Sequence, residues 1–385
     1  MKSIATLSLS PPQKSFVICS WSFVNFVIFA KKKKLGKKIL ICPLNWGLGH
    51  ASRCVPIIDS LLKSGHTPII AADKAPLDFL KKSFPNVETI KLPGFEPAYS
   101  KGNSQVFKLM TLIPGALRDF KKEHDDIETI VKERNIDIVI SDNRFGCWSR
   151  NAHSIFITHQ LHIQTPKFWR WTYPIINTIN RNYIRHYDEL WIPDTQEEPS
   201  LSGILSHPAD AKIKTKYIGL LSRFSEEAEE KKKEIDYLVI LSGPEPQRTI
   251  LENIILEQAQ DVDGKIVVLR AKPNQNELPH NTPSNVTFFN HADDKLFTEL
   301  ISKSKNIICR GGYSSLMDLV KLNRNAYLVP TPGQTEQEYL AQYLTEKGLF
   351  NYCKQKDFHL KNVSVPQHDL KSYFKEYEIH TFIDR

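Results

Sequence analysis

Short runs of apolar and β-branched residues alternate, from Lys38 onward, with longer stretches in which apolar residues recur every three or four positions. Strands that alternate with amphipathic helices are typical of βαβ units, which build a parallel sheet covered by helices on both faces. The pattern therefore predicts the α/β fold class. The strands predicted in the first half are 38–44, 67–72, 87–92, 136–141, 154–158 and 189–193.

The same alternation begins again after a charged segment. Residues 225–234, "SEEAEEKKKE", contain a single apolar residue, as expected of a solvated linker or surface helix. We therefore predict two Rossmann-like parallel-sheet domains that face a cleft, at 37–222 and 236–385, joined by a linker at 223–235. The later strand candidates are "DYLVILSG", "KIVVLRA", "VTFFNH", "NIICRGG" and "AYLVPTP", and helices are expected near 247–258 and 293–303, from about 314, and from about 336 to Gly348.

The distribution of charge restricts the partners. The 385 residues carry a net charge of +8, but six lysines fall in residues 1–36, which hold no acidic residue, so the remaining chain has a net charge of +2. Because the chain after residue 36 is nearly neutral overall, its charge does not indicate a polyanion-binding surface, and no nucleic-acid partner is expected. The six cysteines form no CxxC pair and have no metal-ligand spacing, which favours a reducing, cytoplasmic compartment and predicts neither a metal site nor a cofactor.

Residues 16–30, "FVICSWSFVNFVIFA", form an apolar run that is followed at once by Lys31 to Lys34. A transmembrane helix needs about 20 apolar residues, and a signal peptide carries its basic residues before the apolar core rather than after it. Two interpretations stay open. The run is either a membrane-surface anchor whose lysines meet anionic lipid, or part of an N-terminal extension, 1–36, outside the fold.

A glycine turn in the second half predicts an anion site. In "NIICRGGYSSLMDLV" a buried strand runs into Gly311-Gly312 and then into a helix. Glycines let a ligand approach the backbone closely, and the free N–H groups and positive end of the helix attract a phosphate or diphosphate. The hydroxyls of Ser314 and Ser315 add donors, and Asp318, one turn further on, suits two ribose hydroxyls. A plain tight turn and an exposed helix acid are the alternatives.

Polar side chains also gather after the next strand. In "LVPTPGQTEQEYLAQYL" the residues Gln334, Glu336 and Gln337 open a helix at the carboxyl end of a strand, where they are suited to binding sugar hydroxyls. The alternative is a capping box formed by Thr335 and Glu338.

The first half offers a histidine at a helix start. In "ILICPLNWGLGHASR" a buried strand leads through Gly47 and Gly49 to His50. The glycines match only part of a dinucleotide fingerprint, since Ser52 takes the third position, although Asp73 supplies its acid. The positive end of a helix disfavours the charged imidazole, so His50 is expected to stay neutral at about pH 7 and to accept a proton. A histidine that only caps the turn is the alternative.

These segments carry a resemblance to a known family. The block 285–341 resembles the donor half of GT-B glycosyltransferases, closest in kind to the family 28 type N-acetylglucosaminyltransferase that forms lipid II and to UDP-glycosyltransferases. The segment "GLGHASR" is similar to the glycine-rich loop with histidine in their first domain. The resemblance implies that a sugar passes from a nucleotide-sugar, UDP-linked, to an acceptor hydroxyl with inversion and without a metal.

The same resemblance implies roles for individual residues. It makes His50 the catalytic base, and it makes the N-terminal domain the acceptor domain and the C-terminal one the donor domain. The usual Asp-Gln pair that binds the sugar is Glu336-Gln337 here. The donor-binding residues predicted from sequence and resemblance together are Gly311, Gly312, Tyr313, Ser314, Ser315, Asp318, Gln334, Glu336, Gln337, Arg248, Ser242, Gly243, Asn290 and His291, and those on the acceptor side are Gly47, Gly49 and His159.

Several of these positions keep more than one interpretation. Asp142, at the end of a strand, either orients His50 as part of the catalytic pair, binds the acceptor or is a turn acid. His159 and His162 in "THQLH" either line the acceptor cleft or form a metal pair. Arg248 either meets the phosphates or is a surface arginine.

The stretch 167–191 is rich in aromatic residues, among them Trp169, Trp171 and Tyr173 beside Arg170. It either rests on the inner face of a membrane, which suits a lipid-linked acceptor, or packs within its own domain. Other functions also stay open: a nucleotide-sugar hydrolase or UDP-sugar 2-epimerase on the same fold, an NAD-dependent oxidoreductase, and a non-catalytic nucleotide-sugar binder.

Overall fold

The computed structural model describes residues 36–94, 105–210, 212–225, 228–272, 277–279, 282–373 and 379–383, and the apolar run at 16–30 lies outside them. The strands are β1 (Lys38–Pro43), β2 (Thr67–Ala72), β3 (Glu88–Lys91), β4 (Ile138–Asp142), β5 (His153–Ile157), β6 (Glu189–Ile192), β7 (Thr215–Tyr217), β8 (Ile235–Ile240), β9 (Ile266–Leu269), β10 (Val286–Phe289), β11 (Ser304–Cys309), β12 (Tyr327–Leu328) and β13 (Asn351–Tyr352). The helices are α1 (Gly49–Lys63), α2 (Lys74–Ser83), α3 (Gln105–Arg134), α4 (Tyr173–Ile184), α5 (Gln247–Ala259), α6 (Asp294–Lys303), α7 (Tyr313–Lys321), α8 (Thr335–Glu346) and α9 (His380–Ile383).

Two parallel sheets carry the fold. The first has seven strands in the order β3-β2-β1-β4-β5-β6-β7, and the second has six in the order β10-β9-β8-β11-β12-β13. Counted from its own first strand, each sheet follows the 3-2-1-4-5-6 order of a doubly wound Rossmann fold. The predicted α/β class with two Rossmann-like sheets is confirmed, and the six strands predicted for the first sheet agree with the observed ones to within two residues at each end.

The first sheet is apolar on both faces. Alternate residues of a strand point to opposite sides of the sheet, so successive residues of β1 pack against different helices. Ile39 and Ile41 of β1 belong to the core cluster that contains Ile57 of α1. Leu40, between them, packs instead in the cluster that contains Ile127 of α3. Helices therefore cover both faces, which is why the sequence of β1 is continuously apolar rather than alternating.

A topological switch point lies in the middle of each sheet. Pro43 at the end of β1 is paired with Asp142 at the end of β4. Ile240 at the end of β8 is paired with Cys309 at the end of β11 in the same way. The chain leaves these neighbouring strands in different directions, which opens a crevice where α/β proteins bind their ligands.

One apolar core cluster contains residues of both sheets. The cluster that begins with Ile39 under α1 continues through Leu221 to Leu316 and Met317 of α7. At the C-terminus, the backbone N–H of His380 in α9 donates to Ser60 Oγ of α1 at 3.0 Å. The end of the chain, which the sequence groups with the second sheet, therefore also contacts the helix layer of the first. None of the helices that the structure describes is long and apolar enough to span a bilayer.

A buried ion pair fixes the loop that follows β4. Arg144, 1% exposed, donates from Nε and Nη2 to Glu123 Oε1 of α3 at 3.0 and 2.8 Å. Its Nη2 also donates to the carbonyl of Pro93 at 3.0 Å. The arginine thus joins α3 and the loop after β3 to the loop that follows Asp142.

Replacing Arg144 tests this assignment. Arg144→Met leaves Glu123 buried without its cation, and we expect the free energy of unfolding to fall by about 3–5 kcal/mol in chemical denaturation. The control is Lys63→Met, which removes an exposed ion pair with Asp59 on α1 and should change the stability little. A loss below about 1 kcal/mol for Arg144→Met would contradict a structural role for the pair.

Candidate active site

The two switch points meet at the N-termini of α1 and α7. The hydroxyl of Ser314 donates to the carbonyl of Gly49 at 3.1 Å. A Cβ on Gly49 would lie 3.0 Å from that hydroxyl oxygen, so glycine allows the close approach. Gly47 in the preceding loop has a φ of +66°, in the left-handed region that favours glycine. The predicted acceptor-side loop and donor-side turn are therefore in direct contact.

His50 lies beside Asp142 and one further charged residue. Its Nδ1 is 3.3 Å from Asp142 Oδ2 and 2.9 Å from Nη2 of Arg53. Burial lowers the pKa of His50, the Arg53 guanidinium lowers it further, and Asp142 opposes both. The direction agrees with the neutral histidine expected from the sequence, and burial and Arg53 are the largest causes among the surrounding groups.

Arg53 is the residue that sequence reasoning missed. It is 2% exposed, and it donates from Nε to Asp142 Oδ2 at 2.7 Å and from Nη2 to Oδ1. Burial alone would raise the pKa of Asp142, but Arg53 and His50 hold it at about 2. A charged residue four positions before Ile57, on the apolar stripe of α1, was the available signal, because a buried arginine requires a carboxylate partner.

His159 joins the two halves of the site. Its Nε2 is 2.7 Å from Glu336 Oε1 of α8, and Gln160 donates to the other carboxylate oxygen. The His159 ring also stacks on the Tyr313 ring, with centroids 3.9 Å apart and planes 6° apart. The phenolic hydroxyl of Tyr313 donates to the carbonyl of Pro193 at 2.7 Å, so only the backbone of Tyr313 remains for a ligand. A residue predicted on the acceptor side thus contacts one predicted on the donor side.

The metal interpretation of the histidine pair gains no support. His162 Nε2 is engaged with the carbonyl of Pro208 at 3.0 Å, while His159 is turned to Glu336. Among the residues that the structure describes, no group of three His, Cys, Asp or Glu side chains is placed to hold a metal ion.

The glycine turn after β11 leaves open space at the start of α7. A Cβ added to Gly312 would meet nothing within 4 Å, whereas one on Gly311 would lie 3.2 Å from the carbonyl oxygen of Gln337. A side chain at position 311 would therefore crowd the backbone of α8, whereas one at position 312 would not. Ser314 and Ser315 occupy the first turn of α7, where helix N–H groups lack intrahelical acceptors.

Asp318 lies one turn further along α7 and is 8% exposed. It accepts a hydrogen bond from the hydroxyl of Ser222 at 2.6 Å, and Arg223 Nη1 is 3.7 Å away. Burial raises the pKa of Asp318, although Arg223 opposes the shift. The carboxylate is thus less well compensated than Asp142, and it is not the exposed helix acid of the alternative interpretation.

The polar cluster at the start of α8 is partly turned inward. Gln337 Oε1 accepts from the backbone N–H of Thr331 at 2.9 Å, and its amide donates to Gln334 Oε1. The capping box of the alternative interpretation does not form: Gln334 is the N-cap residue, and the Thr335 hydroxyl donates to the carbonyl of Gln164 at 2.9 Å.

The remaining donor candidates lie at the carboxyl ends of β8 and β10. Gly243, with a φ of +91°, would place a Cβ 3.5 Å from Thr331 Oγ1, so the loop that also holds Ser242 approaches the one before α8. Arg248 is bound locally, by Glu245 at 2.7 Å and the carbonyl of Ala271 at 2.7 Å.

At the end of β10, Asn290 Oδ1 accepts from Arg270 Nη1 at 2.8 Å, and His291 is exposed.

A second buried arginine precedes the glycine turn. Arg310 is 1% exposed and donates to the carbonyls of Val329 and Gln247 at 2.9 and 2.7 Å. Its Nε has no hydrogen-bond partner within the described part of the chain. Burial lowers the pKa of Arg310 to about 10. Arg53 has a carboxylate partner, whereas the partners of Arg310 are backbone carbonyls.

Known protein families match both halves of the chain. Residues 237–372 match the glycosyltransferase family 28 C-terminal domain, and residues 37–187 match glycosyl transferase family 1. No curated protein sequence matches the chain significantly.

Solved glycosyltransferase structures share the fold. The kitacinnamycin glycotransferase is 13% identical over 84% of this chain and 87% of that one, with a TM-score of 0.60. SnogD from Streptomyces nogalater is 12% identical over 90% and 92%, with a TM-score of 0.57. The spinosyn rhamnosyltransferase SpnG complexed with thymidine diphosphate is 14% identical over 82% and 86%, with a TM-score of 0.52. At these identities the likeness concerns the fold.

Asp142 and Asp318 are expected to affect stability with opposite signs. The pKa of Asp142, about 2, lies below the ordinary value of 3.8, so its ionised form stabilises the fold above pH 3.8 and this stability is lost as the pH falls from 3.8 through 2. We expect Asp142→Asn to lower the free energy of unfolding at neutral pH by about 2–3 kcal/mol. The raised pKa of Asp318 means that its ionised form opposes folding above that pKa, so Asp318→Asn should leave the stability unchanged or raise it.

Urea denaturation at neutral pH compares the two variants directly. A loss of stability in Asp318→Asn as large as that in Asp142→Asn would show that both carboxylates are structural.

Proposed function

Because this chain is a glycosyltransferase of the GT-B fold, we propose that it moves a sugar from a nucleotide-sugar, UDP-linked, to an acceptor hydroxyl, with inversion and without an essential metal. The observation that carries the proposal is the contact between Ser314 and Gly49. It brings a helix end suited to a diphosphate next to a histidine whose neutral form is favoured. One site can therefore hold the leaving group and the proton acceptor together.

In this mechanism His50 acts as the general base. The acceptor oxygen attacks the anomeric carbon from the face opposite the diphosphate, the bond to the diphosphate oxygen breaks, and the acceptor proton passes to His50 Nε2. Nε2 can accept this proton only if Nδ1 carries the ring hydrogen. Asp142 Oδ2, 3.3 Å from Nδ1, is the group that would hold that hydrogen.

The leaving diphosphate is assigned to the N-terminus of α7. Negative charge that develops there meets the helix N–H groups and the hydroxyls of Ser314 and Ser315, and the open space beside Gly312 admits it. Asp318, whose charge is poorly compensated, is suited to accept hydrogen bonds from ribose hydroxyls. The solved relative that carries thymidine diphosphate makes this nucleotide the natural comparison for UDP.

Calorimetric titration of UDP, thymidine diphosphate and NAD into the full chain tests the nucleotide site. We expect UDP to bind, and we expect Gly312→Ala to weaken binding at least about tenfold because the new methyl group enters the space assigned to the diphosphate. The fold should tolerate this methyl, since nothing lies within 4 Å of it. Gly115→Ala on α3, where a Cβ also meets nothing within 4 Å, is the matched control and should bind UDP as the wild type does.

Two further outcomes decide between the functions. His50→Ala should bind UDP normally yet release it more slowly from UDP-sugars, with water serving as a surrogate acceptor. NAD binding in place of UDP would overturn the proposal in favour of an oxidoreductase. Fast UDP release with no sugar transferred to any supplied hydroxyl acceptor would indicate a hydrolase instead.

We also propose that the acceptor is lipid-linked and that the protein contacts the inner face of a membrane through the segment 168–179. Phe168 is 87% exposed and Trp171 59%, and Ile175 and Ile179, one helical turn apart on α4, are 53% and 42% exposed. Such a group of large apolar side chains beside the exposed Arg170 is suited to the interface of an anionic bilayer. The free thiols among the described residues agree with the cytoplasmic side.

Vesicle co-sedimentation tests the membrane contact. Phe168→Ser together with Trp171→Ser should lower partitioning of the full chain onto anionic phospholipid vesicles about tenfold, because two aromatic side chains no longer enter the interface. Ile250→Ser, on α5 of the second sheet and 40% exposed, is the control for an exposed apolar residue elsewhere. Equal partitioning of all three proteins would contradict the proposal.

A further inference from the structure

The guanidinium of Arg53 contacts three ionisable side chains of the buried site, namely Asp142, His50 and His159. It binds both oxygens of Asp142, lies 2.9 Å from His50 Nδ1 through Nη2, and lies 3.4 Å from His159 Nδ1 through Nη1. Arginine offers five donors in a rigid fork and no acceptor, so each of these contacts is a donation from Arg53.

This geometry has a consequence for His50. A ring nitrogen that accepts a hydrogen bond from Arg53 carries no hydrogen, and the neutral ring must then carry its hydrogen on Nε2. If Nδ1 carries the hydrogen instead, it can donate to Asp142 Oδ2 but cannot accept from Arg53. The contact with Arg53, 2.9 Å, is shorter than the one with Asp142, 3.3 Å. The arrangement therefore favours the tautomer with hydrogen on Nε2, which cannot take a proton at Nε2.

We propose that Arg53 is a positioning residue that sets both the protonation state and the tautomer of His50. Its positive charge keeps the imidazole neutral, and its donation to Nδ1 holds the ring in the resting tautomer. This inference rests on the proposed function in so far as His50 is the base, since transfer then requires Arg53 Nη2 to leave Nδ1. The ring gives its Nε2 hydrogen to solvent and takes one from solvent at Nδ1, Nδ1–H then donates to Asp142, and the vacated Nε2 takes the acceptor proton. That proton passes to solvent after the nucleotide diphosphate has left.

All charged groups that face His50 enter this balance. Arg53 and, to a smaller extent, His159 disfavour the imidazolium, and Asp142 favours it. Glu336 on α8 also interacts with His50 and favours the charged ring. Burial raises the pKa of the neighbouring Cys54 thiol well above its ordinary range, so this group stays neutral. Arg53 is thus the permanent cation that offsets the two carboxylates.

The experiment is nuclear magnetic resonance of the full chain with labelled histidine, with the His50 signals assigned from His50→Gln. In the wild type we expect His50 to titrate below pH 6.5 and to carry its hydrogen on Nε2. In Arg53→Met the titration should move up by at least about one pH unit, since Asp142 then acts without its counter-charge, and the hydrogen should move to Nδ1. Arg53→Lys, which keeps the charge, should hold the midpoint within about half a unit of the wild type.

Two further variants keep the test valid if Arg53→Met alone fails to fold. Asp142→Asn should lower the midpoint for His50 below that of the wild type. The double variant Arg53→Met with Asp142→Asn, which buries no unpaired charge, should fall between the two single variants. An unchanged midpoint and tautomer when Arg53 is removed in either background, or a wild-type ring with hydrogen on Nδ1, would overturn the inference.

Turnover separates this inference from the proposed function. If the enzyme transfers sugar, the acidic limb of kcat/KM should shift in each variant by as much as the His50 midpoint. If turnover requires His50 but the midpoint of the His50 titration does not change when Arg53 is replaced, only the role of Arg53 is overturned. Midpoints that shift as expected in a protein that never consumes a nucleotide-sugar would overturn only the proposed function.

Discussion

The ion pair between Arg53 and Asp142 is the constraint on which the rest of the site depends. The two side chains are 2% and 0% exposed, and a buried charge is stable only where geometry and further hydrogen bonds offset its lost hydration. Arg53 comes from α1 and Asp142 from the end of β4, so the pair fixes the helix against the switch point of the sheet. Because His50 and His159 contact the same guanidinium, the orientation of both rings follows from it.

Much of the fold could be predicted because parallel strands buried on both faces leave a continuous apolar signature, as in β1 and β4. A strand that was not predicted from the sequence, β7, is short: it has three residues, and they are only partly buried. The helix α3 occupies a stretch to which the sequence analysis assigned no element, since the Pro-Gly pair at 114–115 interrupts the helical pattern. Local propensity therefore gave no reason to expect a helix that continues through that pair.

The residue types of the candidate site and the proximity of Asp142 to His50 could be predicted, but the other partners could not. Chemically suited side chains at strand ends, such as His50, Asp142 and Glu336, are visible in the sequence because α/β folds bind ligands there. The contacts between His159 and Glu336, and between Arg53 and Asp142, join positions 177 and 89 residues apart, and no spacing rule relates such positions. For the same reason the sequence could name only the helix end as a cause that lowers the pKa of His50, whereas the structure adds burial and Arg53.

The buried charged residues of the candidate site fall into two kinds. Some are compensated by a partner within the protein, and others are only weakly compensated. Asp142 is matched by an arginine within the protein, its pKa is low, and nothing about it calls for an external partner. Asp318 and Arg310 are buried with weaker compensation of their charges. Burial raises the pKa of Asp318 and lowers that of Arg310, and each shift favours the neutral form. Both lie on the segment that runs from the end of β11 into α7. A protein retains poorly compensated buried charges at a cost in stability, and a ligand with hydroxyl donors and an anionic group would relieve that cost there. The weakly compensated charges thus lie on the segment to which the nucleotide is assigned, whereas the ion pair between Arg53 and Asp142 lies beside His50, the proposed base.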